Sequence, residues 1–172
     1  GKSLPQPATW APDGESYKNA VELKGTQELT IANSTLTLNN NVNANSDAID
    51  TIYVGDGNVV NNNSTVNGEL VYSEVTGTDY RIIYTVNGQV YRTIDATSTT
   101  ADDVTTVTYA EPADPVVTGY TFNGWIYGEN VAVADDGTVT ITVAAEDDNT
   151  YEFAASMANN SSYIPGTGTP TG

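Results

Sequence analysis

Short apolar–polar alternations, each closed by Asn, Asp or Gly, run through most of this 172-residue chain. Leu29-Thr30-Ile31, Leu36-Thr37-Leu38, Ile52-Tyr53-Val54 and Leu70-Val71-Tyr72 are typical. They are bounded by Asn39-Asn40-Asn41, Gly55-Asp56-Gly57, Asn61-Asn62-Asn63 and Asn67-Gly68. A period of two puts one side of each segment on a core and the other in water. Turn residues every six to ten positions or so then limit each strand to a few residues. Leu- and Ala-rich windows of helical period are missing. The expected class is therefore all-β, built from many short strands.

Composition narrows the chemistry. Thr makes up roughly a seventh of the chain and Asn about a tenth, and Tyr outnumbers Phe plus Trp by 11 to 4. There are 22 acidic side chains, 5 basic ones, no His and no Cys, for a net charge of −17. Such a charge repels nucleic acid and anionic membrane. Without Cys there is no disulfide and no thiolate nucleophile, and without His no Ser-His-Asp triad or imidazole ligand. No apolar run approaches the roughly 20 residues that span a bilayer. The first residues, Gly1-Lys2-Ser3-Leu4-Pro5-Gln6-Pro7, read as a mature or an artificially cut end rather than a signal peptide.

Four segments follow from the pattern. Residues 1–15, with three prolines and Trp10, read as an extended N-terminal arm. Residues 16–75 are an Asn/Thr-rich β module. The stretches "LTIANSTLTLNNN" and "IYVGDGNVVNNNSTVNGELVY" resemble the Asn/Thr-rich rungs of β-solenoid regions in bacterial adhesins. That resemblance implies Asn stacked on Asn at successive turns. The segment is short for a free-standing solenoid, which needs three or more rungs and caps, so a short-strand antiparallel sandwich stands beside it. Residues 76–158 form a second β module, and 159–172 a Thr/Gly/Pro tail or linker.

In the second module, residues 80–86 and 89–94 flank Asn87-Gly88, a strong hairpin signal. A Thr/Asp-rich stretch, 95–103, follows, and further strands are expected at 104–109, 138–144 and 151–157. The run "EPADPVVTGYTFNGWIY" carries Pro112, Asp114 and Pro115, then Gly119, Tyr120, Thr121, Phe122, Gly124 and Trp125. It resembles the core of the Listeria–Bacteroides repeat, the internalin B-type repeat, over about residues 78–158. The family more often closes on an aromatic where this chain has Met157. The resemblance implies a small β-grasp-like module of secreted and wall-attached bacterial proteins, not an activity. From the residues themselves, Gly119 suits a positive φ, and a bulge at Asn123-Gly124 returns Trp125 to the side of Tyr120 and Phe122. A sugar-stacking aromatic platform is the functional alternative to a core role for these rings.

Candidate chemistry is sparse. The carboxylate pairs Asp102-Asp103, Asp135-Asp136 and Glu146-Asp147-Asp148 read as turns, with calcium kept as the one candidate ligand and no catalytic pair assigned. Ile164-Pro165-Gly166-Thr167-Gly168 resembles a sortase sorting signal, in which Thr167 would become an acyl donor. Tyr17-Lys18-Asn19 resembles the pilin Tyr-Pro-Lys-Asn motif without its proline, so Lys18 is a candidate acceptor, or else a solvated lysine. Sequons stand at Asn33, Asn62, Asn63, Asn159 and Asn160. Lysines occur only at 2, 18 and 24, and no basic residue follows Arg92. Residues 1–24, where those lysines are balanced by Asp13, Glu15 and Glu22, are thus near neutral beside an acidic body, a polarity suited to head-to-tail contact.

The expectation is a non-enzymatic, secreted protein of the bacterial cell surface, without a cofactor. It is read as a subunit of an extracellular filament or pilus-like assembly, joined by strand addition of its arms near Ala8–Trp10 or Ile164. Its partners would be copies of itself or other surface proteins, with no nucleic acid and no membrane. A carbohydrate-binding or host-adhesion module, contacting glycan or a host surface, is the alternative. So is a passive stalk segment of a larger wall protein.

Overall fold

The computed structural model describes residues 16–25, 27–38 and 41–160. Among them are fourteen β-strands and no helix, so the protein is all-β. No helix is long and apolar enough to cross a membrane.

The Asn/Thr-rich segment is a stack of parallel rungs. The first rung is β1 (Asn19–Glu22), β2 (Glu28–Ala32) and β3 (Thr35–Thr37). The second is β4 (Thr51–Gly55), β5 (Asn58–Asn62) and β6 (Thr65–Asn67). β7 (Glu69–Tyr72) begins a third. β1, β4 and β7 lie in that order in one parallel sheet; β2 pairs β5 and β3 pairs β6, also parallel. Of the two arrangements open at the sequence level, the solenoid is the one formed and the antiparallel sandwich is not. The physical reason is a 30-residue repeat: Glu28 registers with Asn58 and Thr35 with Thr65. Asn33-Ser34-Thr35 recurs as Asn63-Ser64-Thr65, so like residues stack on like.

Leu23, Ile52, Val54 and Val59 fill the stack, with Leu29, Leu36, Val66 and Leu70 packed against them. The corners are closed by side chains. Asn33 and Asn63 adopt φ of +51° and +57°, and Asn63 Nδ2 donates to Asn33 Oδ1 at 2.8 Å. Asn is among the few residues that take this left-handed conformation at modest cost. Asn58 Nδ2 donates to Glu28 Oε2 at 2.9 Å, and Asn67 Nδ2 to Thr37 Oγ1 at 3.2 Å. The rungs approach so closely at Gly68 that a Cβ there would lie 2.7 Å from the Asp50 carbonyl oxygen.

The rest is one seven-stranded sheet in the order β11-β14-β8-β9-β10-β13-β12. Its strands are β8 (Asp79–Val86), β9 (Gln89–Ala101), β10 (Val104–Ala110), β11 (Tyr120–Ile126), β12 (Val131–Val133), β13 (Thr138–Thr142) and β14 (Thr150–Asn159). β14 runs parallel to β8 and every other pair is antiparallel. Asn87 and Gly88, both at positive φ, make the two-residue turn between Val86 and Gln89. The stretch 95–103 differs from its sequence reading as a segment apart. β9 continues through it to Ala101, because Thr alternates along it and strands favour Thr. Asp102 and Asp103, at φ of +53° and +65°, then form a second two-residue turn into β10.

The long β9 lets the sheet serve two partners. Its residues 89–97 pair β8 and its residues 98–101 pair β10. The sheet encloses one core of Ile82, Tyr84, Val107, Val139, Ile141 and Phe153. β9 also lies against β5. The Thr93 backbone N–H donates to Asn58 Oδ1 at 3.0 Å, and the Val66 N–H to Gln89 Oε1 at 3.4 Å. The sheet therefore covers one end of the rung stack, which is how a stack this short is held without more rungs.

Candidate functional site

Among the described residues, no strand pairs onto the other end of the stack. β1, β2 and β3 each pair a second-rung strand on one side, and no described strand pairs their other side. A strand edge left this way presents a row of N–H and C=O groups to an incoming strand. The same rung carries the upper members of the side-chain ladders, Glu28, Asn33 and Thr37. The edges and ladder groups together repeat the surface on which the second rung already sits.

Lys18 stands exposed just before β1, and its carbonyl accepts the Thr51 N–H at 2.9 Å. Ile164, Pro165, Thr167 and Gly168, and the arm at Ala8–Trp10, lie outside the described residues. Lys18 therefore stands at the start of the first rung.

Gly119, Tyr120, Phe122, Gly124 and Trp125 lead into and along β11. Gly119 has a φ of +87° and Gly124 of +105°. Pairing with β14 is irregular between Phe122 and Trp125, and the two rings sit 5.1 Å apart. So the bulge does bring Trp125 round to the side of Phe122. Trp125 packs edge-on to Tyr84 at 4.7 Å and is half-buried against the core, as are Tyr120 and Phe122 in the sheet. The rings do not form a flat exposed platform.

A group of hydroxyls that sequence reading missed lies inside the sheet. Tyr84 OH sits 2.7 Å from Tyr109 OH and 2.9 Å from Tyr127 OH, and Tyr127 OH donates to Glu111 Oε2 at 2.8 Å. Tyr91 OH donates to the Ala113 carbonyl at 2.9 Å. These bonds tie the Pro-rich loop 111–117 to the core. Burial raises all three clustered phenols above their ordinary range, the hydroxyl–hydroxyl contacts adding to this for Tyr109. Their alternation on strands (84, 109) is the signal that could have revealed them, but core aromatics and hydroxyl clusters look alike in one dimension.

The two parts of the chain are clamped by Arg81, only 3% exposed. Its Nε donates to Asp95 Oδ1 at 3.0 Å, its other nitrogens reach Ser73 and Asp95, and its guanidinium lies 5.1 Å from the Tyr72 ring centre. Four of its five N–H donors are used on Ser73 and Asp95, so Arg81 acts as a joint between the two parts.

The carboxylate pairs are turn devices. Asp136 Oδ1 accepts the Thr138 N–H at 2.9 Å, and Asp147 Oδ2 accepts the Ala144 N–H at 2.9 Å and Tyr151 OH at 2.7 Å. Those bonds lower both carboxyls below the usual range. Among the described residues no three acidic side chains gather into a cation site. The sequon residue Asn63 spends its Nδ2 on the ladder, whereas Asn159 is exposed at the end of β14.

Compared with protein-family models, curated proteins and solved structures, the chain matches none.

Proposed function

We propose that this chain is a structural subunit of an extracellular filament or pilus-like assembly on a bacterial surface. Subunits join by strand addition at the first rung. The observation that carries this reading is the open rung: three parallel edges, with their ladder side chains, at the end of the stack opposite the covering sheet. Main-chain pairing at such an edge supplies affinity, and alternate side chains supply register. The segments nearest in sequence to be donated are a neighbour's 1–15 arm or 159–172 tail. A polypeptide of this kind needs no catalytic group, and the resemblance of 78–158 to the Listeria–Bacteroides repeat fits the same setting.

The 30-residue register favours a second reading, a stalk segment in which a further rung of a longer polypeptide seats on β1–β3. The two differ in whether separate copies associate. Electron microscopy and light scattering of native surface material and of the purified chain decide between them. End-to-end particles of the purified chain support the filament. A strictly monomeric chain, together with single-chain fibres in native material, overturns it in favour of the stalk.

A further inference from the structure

We propose that the cleft between the solenoid corner and the sheet binds a neutral saccharide. The cleft, of about 290 Å³, lies where the β5–β6 corner, the β8–β9 turn and the approach to β11 meet. It is at the small end of ligand sites, which run from about 300 to 1,000 Å³, and suits one or two sugar rings. None of its lining residues is charged. That is unusual for a chain with 22 acidic side chains. The two other clefts described at this junction are acidic: Glu74, Asp147 and Asp148 line one, and Asp56, Asp79 and Asp95 the other.

Amides and hydroxyls replace charge here. Asn61, Asn63, Asn87 and Gln89 bring carboxamides, Thr118 a hydroxyl, and half-buried Tyr120 an aromatic ring. A carboxamide offers a donor and an acceptor side by side, the match for neighbouring sugar hydroxyls, each of which is both. A ring such as Tyr120 accepts the C–H face of a pyranose. Three of the amides are already held. Buried Asn61 is held by the Ser64 N–H on its Oδ1 at 3.0 Å; Gln89 Oε1 accepts the Val66 N–H at 3.4 Å, which leaves the Gln89 NH₂ to offer. Asn63 gives its NH₂ to Asn33 and has its Oδ1 to offer. A donor on Gln89 and an acceptor on Asn63 are thus oriented before a ligand arrives, which lowers the ordering cost of binding. A charged sugar would find no counter-charge there and an acidic surface around it.

The reading is independent of strand addition. Amide-resolved NMR titration of the whole chain tests it, with maltose, cellobiose, mannobiose and diacetylchitobiose as neutral probes and a sialyl or uronic disaccharide as the charged one. Saturable shifts from at least one neutral probe are expected, confined to residues 61–65, 86–89 and 117–120. Tyr120→Ala should weaken that probe about tenfold with the spectrum otherwise folded, and Gln89→Glu should weaken it as well. No neutral probe binding, shifts centred elsewhere, preference for the charged sugar, or affinity unchanged in both variants would overturn it.

Discussion

Asn33 and Asn63 hold left-handed corners, and the ladder bond between them joins one rung to the next. Asn63→Ala should lower stability by about 2 kcal/mol, roughly half from forcing Ala to positive φ and half from the lost hydrogen bond. Asn63→Gly keeps the conformation and should cost clearly less. Urea unfolding of the two variants checks the order. In the sheet, Tyr84 is fully buried and its hydroxyl touches two others. Tyr84→Phe should destabilise by about 1–3 kcal/mol, because Tyr109 and Tyr127 lose a partner in the core. The same phenols set an alkaline limit. Their folded pKa values lie above the ordinary value of 10, so the unfolded chain ionises first. Stability is fully present below pH about 10 and falls as pH rises beyond it. Denaturant midpoints at pH about 8 and about 11 should show that drop, with the last part of the tyrosinate absorbance appearing only on unfolding.

At the scale of elements, the spacing between rungs is a backbone matter. Gly68→Ala places a Cβ against the Asp50 carbonyl and should cost about 1–3 kcal/mol, read as a lowered urea midpoint. Much of this level was legible in the sequence. Strand class followed from period two, the Asn87-Gly88 turn from its dipeptide, and the Trp125 bulge from face-counting around Asn123-Gly124. The rung stack was visible as Asn-rich texture, but its parallel register needed the 30-residue spacing of Asn-Ser-Thr at 33–35 and 63–65. The true length of β9 was hidden because its Thr and Asp residues resemble loop composition, while cross-strand pairs such as Thr100 with Thr105, at 2.8 Å, stabilise them in a strand. The clefts were not legible at all. The neutral one forms where residues 61–65, 86–89 and 117–120 meet, and no local pattern records such a meeting.

For the whole molecule, the sheet and the rung stack form one joined body through Arg81, Asn58 and Gln89, with one end of the stack covered and the other unpaired among the described residues. The net charge of −17 works against non-specific association, so any joining depends on directed strand pairing rather than on apolar collapse. Hydrogen exchange across β1–β3, compared between the isolated chain and native surface material, is the most direct test. Strand addition predicts edge amides within 19–37 that exchange rapidly in the isolated chain and become strongly protected in the assembly, while β4–β6 change little. Equal exchange of 19–37 in both states would contradict an open rung that joins one polypeptide to the next.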